Sequence, residues 1–108
     1  MTAPHLANLK LVLAYPLAAP EEVIVAAELL TPFLKECLLP VPGITMVTIS
    51  SDGQSVTVTF ESTSFDKDTM ITFIEIWLRR ASRMKSFFPG YPRDSNDPII
   101  DRERTEYV

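Results

Sequence analysis

Apolar and polar residues alternate most cleanly in two runs, Ile44 to Ser50 and Ser55 to Glu61, separated by Ser51-Asp52-Gly53-Gln54. A period of two marks strands with one dry and one wet face, and Asp-Gly at the centre predicts a hairpin closed by a two-residue turn. That register sets Ile49 opposite Val56, Val47 opposite Val58 and Thr45 opposite Phe60. The dry face is then Val47, Ile49, Val56, Val58 and Phe60; the wet face is Thr48, Ser50, Ser55, Thr57 and Thr59. An earlier run, Leu9 to Tyr15, is apolar on both faces and predicts a central strand ended by Pro16.

Elsewhere the apolar period changes to steps of three and four, the mark of helices. One stripe runs Val23, Ala27, Leu30, Leu34 and Cys37 or Leu38, behind a start near Pro20 with Glu21 and Glu22 in the first turn. Pro32 falls inside this stripe, which stays in phase across it, so a kinked helix is expected rather than two pieces. A second helix is expected from a cap at Ser64 or Asp66 to the stop at Pro89-Gly90, with its stripe on Met70, Ile74, Trp77, Ala81, Met84 and Phe88. Ile71, Phe73, Ile76 and Leu78 widen that stripe almost all the way round.

The element order is β-α-β-β-α, with room for a short last strand near Ile99-Ile100. The fold class expected is α+β: a two-layer sandwich of ferredoxin-like type, with an antiparallel-rich sheet carrying two helices on one face. The 108 residues make a single domain. Residues 1–7 read as a flexible start, 8–90 as the folded core and 91–108 as an extended, proline-containing charged tail.

Composition narrows the function classes. Apolar residues form 46% of the chain and charged residues 22%, too apolar for a disordered chain and rich enough to leave surplus apolar surface. A net charge of −4 speaks against a general nucleic-acid binder. One cysteine, Cys37, forms no internal disulfide and no cysteine zinc cluster, which suits a reducing, cytoplasmic setting. Nothing approaches a membrane-spanning run. Leu11 to Ala19 could pose as a signal-peptide core with Ala18-Ala19 near the cleavage point, but it lacks a basic leader and contains Pro16, so the strand reading is preferred.

Candidate chemistry is sparse. His5, the sole histidine, has no positioned partner, and Cys37 lies on an apolar stripe. Asp66 and Asp68 lack the glycine and terminal glutamate of a calcium loop, so helix capping explains them better. Gly43, Gly53 and Gly90 are too far apart for a phosphate loop, and no cofactor or metal motif is present. The Trp77 to Lys85 segment concentrates Arg79, Arg80, Arg83 and Lys85, four of the ten cations. A solvated helix end complementing the dipole explains them most simply. A kinase consensus ending at Ser82, a calmodulin-type or membrane-surface helix and an anion patch are the competing readings. The Glu106-Tyr107-Val108 triplet loosely resembles a carboxylate ligand of PDZ domains.

The leading expectation is a non-enzymatic protein-protein interaction module: an inhibitor, immunity or adaptor protein, or a homo-oligomer subunit. Its surface would combine the apolar margin Ile71, Phe73, Ile76 and Leu78 with the cations Arg79, Arg80, Arg83 and Lys85, and with Phe87 and Tyr91 beyond them. The alternative is a small-ligand or nucleic-acid-binding domain using those four cations. An enzyme assembled from scattered Ser, Thr, Asp, Tyr or Arg residues is the third.

Overall fold

A computed structural model describes residues 5–17, 20–85, 87–91 and 96–108. The elements are β1 (Leu6–Leu13), a single 3-10 turn (Pro20–Glu22), α1 (Val23–Leu38), β2 (Ile44–Ile49), β3 (Ser55–Glu61), α2 (Lys67–Lys85) and β4 (Ile100–Tyr107). The strands form one antiparallel sheet in the order β2-β3-β1-β4. The chain is thus α+β, with a four-stranded antiparallel sheet and two helices. β3 lies between β1 and β2, and β1 lies between β3 and β4, so two β-α-β units interlock.

The hairpin pairs Ile49 with Val56 and Val47 with Val58, as expected. Its turn differs. Gly53 N–H donates to the Ser50 carbonyl and Ser50 N–H to the Ser55 carbonyl, both at 3.0 Å, so the turn centres on Ser51-Asp52 inside a loop spanning 51–54. Asp52 organises that loop: one carboxylate oxygen accepts Ser50 Oγ–H at 2.6 Å and Gln54 N–H at 3.0 Å. Those bonds, the Ser50 one foremost, hold its carboxyl below the ordinary range. At the other end an irregularity makes Ile44, not Thr45, the partner of Phe60. Ile44 enters the core, and Thr45 is left exposed with its hydroxyl donating to the Thr59 carbonyl at 3.2 Å.

The core sits between the sheet and the helices. Leu9, Leu11, Val47, Val56, Val58 and Phe60 meet Leu30, Leu34 and Leu38 of α1 and Met70, Ile71, Ile74 and Leu78 of α2, all without solvent contact or nearly so. α1 runs unbroken through Pro32, whose exposed position leaves the freed Glu28 carbonyl to water. α2 starts where Asp66 Oδ1 accepts the Thr69 N–H at 2.7 Å as a side-chain cap; the Thr69 hydroxyl first, and this N–H second, depress the Asp66 carboxyl.

The structure departs from expectation at both ends and along α2. β1 begins at Leu6 and stops at Leu13, so Leu6 and Ala7 belong to the sheet; the rest of the expected flexible start, residues 1–4, lies outside the described residues, apart from His5, whose carbonyl accepts Ser62 N–H at 2.9 Å. Within the segment expected to be a charged tail, 91–108, Ile100–Tyr107 form an eight-residue strand, β4, longer than the short strand expected near Ile99-Ile100 and paired with β1. The buried face of α2 is also rotated, by about 60° at 100° per residue. It runs Met70, Ile71, Ile74, Leu78, Ala81 and Ser82, while Met84 is exposed and Trp77 half-buried. The rotation follows from β4: Ile99 and Ile100 join Ile71 and Leu78 in the core, and Glu75 on that side of α2 accepts the Ile100 N–H.

β4 carries a wide bulge. Lys10 pairs with Glu106 and Val12 with Asp101, so Leu11 alone faces residues 102–105. The buried Thr105 hydroxyl bridges the gap, accepting Val12 N–H at 3.1 Å and donating to the Asp101 carbonyl at 2.8 Å.

Candidate functional site

The expected partner residues divide between core and surface. Ile71, Leu78, Phe87 and Tyr91 are buried within the chain and present no docking area. This is a correction with a physical cause: the rotated α2 turns the Ile71 side to β4 and the segment after α2. Phe73 is half-buried, Ile76 is 45% exposed, and Arg80 and Arg83 are exposed. The Lys85 side chain lies outside the described residues.

The opposite margin of α2 faces α1 and stays partly open. Trp77 is its centre. Phe33 of α1 and Phe73 meet the Trp77 ring edge-on, at centroid distances of 6.4 and 6.5 Å. The Arg80 guanidinium carbon lies 4.8 Å from the ring centroid, a cation–π geometry. Beside this cluster a pit of about 80 Å³ opens between the helices, lined by Leu29, Phe33, Ala81, Met84 and Phe87. Its rim is apolar and wet: Leu29 is 58% exposed and Met84 62%. The Trp77 Nε1–H is buried without a hydrogen-bond partner among the described residues. Sequence periodicity placed Trp77 and Met84 in the core; Leu29 and Phe33 on α1 were not singled out, since they fall beside its buried stripe.

The cation cluster is dispersed. Arg79 pairs with Glu75 at 3.0 Å and its Nε–H donates to the Tyr91 hydroxyl at 3.3 Å. Glu75 also accepts the Ile100 N–H at 3.4 Å, so this pair ties α2 to the start of β4. Tyr91 packs edge-on against Tyr15 at 5.1 Å, and Tyr15 hydrogen-bonds Asp97; burial first, then Asp97, raises the Tyr15 phenol above its usual value. The Glu75–Arg79 pair, one helical turn apart, is legible from sequence spacing; its links to Tyr91, Asp97 and Ile100 join residues far apart in sequence and are not.

The remaining motifs take structural places. Ser82 is buried, so a kinase consensus ending there is closed in the folded chain. Cys37 is half-buried, and its thiol is raised first by desolvation and then by Glu36. The Glu106-Tyr107-Val108 triplet ends β4, with Val108 N–H donating to the Asn8 carbonyl at 2.8 Å. Among the described residues there is no cluster of three or more His, Cys, Asp or Glu arranged to hold a metal ion, and no helix long and apolar enough to cross a membrane. Comparison with protein-family models, with curated proteins and with solved structures gives no match.

Proposed function

We propose that the chain is a non-enzymatic protein-interaction module whose docking face is the outer surface of its helical layer, centred on Trp77 and rimmed by Leu29, Phe33, Ile76, Arg80 and Met84. One observation carries this reading: large apolar side chains stay in water around an aromatic cluster, although each forgoes roughly 1.5–3 kcal/mol of burial. Trp and Arg at the centre with an apolar rim is the composition of an interface hot spot. The strand order, read from its other edge as β4-β1-β3-β2, we take as the ferredoxin-like arrangement, a scaffold compatible with many functions. The single half-buried thiol suits a reducing, cytoplasmic setting. A nucleic-acid role for Arg79, Arg80, Arg83 and Lys85 is less favoured, because Glu75 neutralises Arg79.

The test is affinity capture from the native source, followed by titration of the purified partner against wild type, Met84→Glu and Leu29→Glu. Each substitution should weaken binding by about tenfold or more, as expected for a hot-spot rim of 1.4 kcal/mol or above. A control at exposed Thr63, outside this face, should not. Equal affinity for all variants would refute the assignment of the face.

A further inference from the structure

We infer that the open edge of β2 is a self-pairing edge, at which two copies of this chain join their sheets about a two-fold axis. The sheet has two edges, β2 and β4. β4 is guarded against pairing by Asp101, Arg102, Glu103, Arg104 and Glu106 and by its wide bulge. β2 has none of these charges: Ile44 to Ile49 reads Ile-Thr-Met-Val-Thr-Ile, with Met46 55% exposed.

The backbone of β2 points the right groups outward. Ser50 N–H bonds across the hairpin to Ser55, and bonding residues alternate along an antiparallel strand. Thr48 therefore turns its amide toward β3, and Val47 and Ile49 turn N–H and C=O to the open side. An antiparallel second copy with the axis at Thr48 sets Val47 against the partner's Ile49, extending the apolar face. Thr48 meets the partner's Thr48 on the wet face. A two-fold contact must be self-complementary, and an uncharged strand meets that condition without opposing like charges.

The flank of α1 beside β2 selects a second copy over an unrelated strand. A groove of about 520 Å³ runs between α1 and the hairpin, lined by Ile24, Ala27, Thr31, Pro32 and Ile49, with Glu28 at its side. Glu28 and Lys35 are both exposed and seven residues apart, hence on one flank of the helix. Two such flanks meeting antiparallel put Glu28 against the partner's Lys35, and Lys35 against the partner's Glu28. The groove then closes over Ile24, which is 70% exposed in the single chain.

Sedimentation equilibrium of the full chain from about 1 to 100 µM tests this. The expected species has twice the 12.1 kDa chain mass. Ile49→Pro removes an outward donor without touching the β3 ladder, and Thr48→Lys opposes two cations on the axis; each should raise the dissociation constant by about tenfold or more while the circular dichroism spectrum is unchanged. Glu28→Lys should weaken the dimer, and Glu28→Lys with Lys35→Glu should restore it. A mass of one chain throughout the range overturns the inference, as does a dimer indifferent to Thr48→Lys and to the charge exchange. Met84→Glu separates this edge from the helical face: it should leave the dimer intact, and a dimer that it alone dissociates would overturn the β2 assignment while supporting the helical one.

Discussion

Gly53→Ala tests how the hairpin tip is anchored. Gly53 has φ +69° and is buried, and a Cβ placed on it would lie 2.9 Å from Val23 Cγ1 and 3.1 Å from Leu17 Cβ. Two penalties add. Holding an L side chain at positive φ costs about 1–2 kcal/mol. Forcing a methyl against the first residue of α1 costs a further 1–3 kcal/mol or about that, since neither Leu17 Cβ, attached to its backbone, nor a branched valine can swing away. A loss of about 2–5 kcal/mol corresponds to a fall of about 8–40 °C in melting temperature for a domain of this size. Gly90→Ala is the comparison: φ is +81°, but a Cβ there meets nothing within 4 Å, so only the backbone penalty applies. Urea unfolding followed by Trp77 fluorescence gives both numbers. A double-mutant cycle with Val23→Ala should recover about 1 kcal/mol of the Gly53→Ala loss. Equal losses at the two glycines, with no coupling to Val23, would refute the packing argument.

Three further outcomes follow from the structure. Thr105→Val keeps the shape but orphans the Val12 N–H, so it should cost about 1–3 kcal/mol in urea unfolding, whereas Thr105→Ser should cost much less. Truncation after Gly90 removes β4 and the buried Tyr91, Ile99 and Ile100 and uncovers Ile71 and Leu78; at roughly 1.5–3 kcal/mol per large side chain the loss is comparable with the whole stability of an ordinary domain, and calorimetry should show no cooperative transition. Asp52 and Asp66 have depressed carboxyls, so the stability they supply is present above the ordinary carboxyl pKa and lost as pH falls through their lower folded values. The melting temperature should therefore drop from about pH 4 downward, and Asp52→Asn with Asp66→Asn should flatten that drop.

How far residues reveal structure depended on how local the determining contacts were. The β2-β3 register was legible because Val47, Ile49, Val56 and Val58 alternate in phase and the 51–54 loop joins them within one short stretch, although its turn centres on Ser51-Asp52 and not on Asp52-Gly53. β4 was legible only as a short strand near Ile99-Ile100, because an edge strand with a bulge needs few inward side chains: Ile100 and Thr105 face the interior while Arg102, Glu103 and Arg104 are exposed, a pattern that reads as a tail. With only a short strand expected near Ile99-Ile100, sequence alone leaves the Ile71 and Leu78 margin of α2 uncovered and puts Trp77 and Met84 at the centre of its stripe. Once β4 is in place, the helix turns and the open margin becomes the Trp77 side. Periodicity specifies that a helix has an apolar stripe, but the stripe of α2 is so wide that only its neighbours decide which part stays wet.

The central place of β1 has a consequence for the order in which the chain becomes a protein. Its partners are β3 and β4, and the pairing of Leu9 with Tyr107 joins the first strand of the sheet to the last in chain order. On the ribosome, β1 emerges with Leu9, Leu11, Val12 and Leu13 and has no antiparallel neighbour until β3 appears more than forty residues later. Its second side stays open until β4, the last strand of the sheet in chain order, has followed. Local helix and hairpin contacts form early, but closing the sheet requires the longest loop in the molecule, which slows folding and leaves a sticky nascent strand exposed in the meantime. Moving β4 ahead of β1 by circular permutation would remove that wait without altering a single core contact.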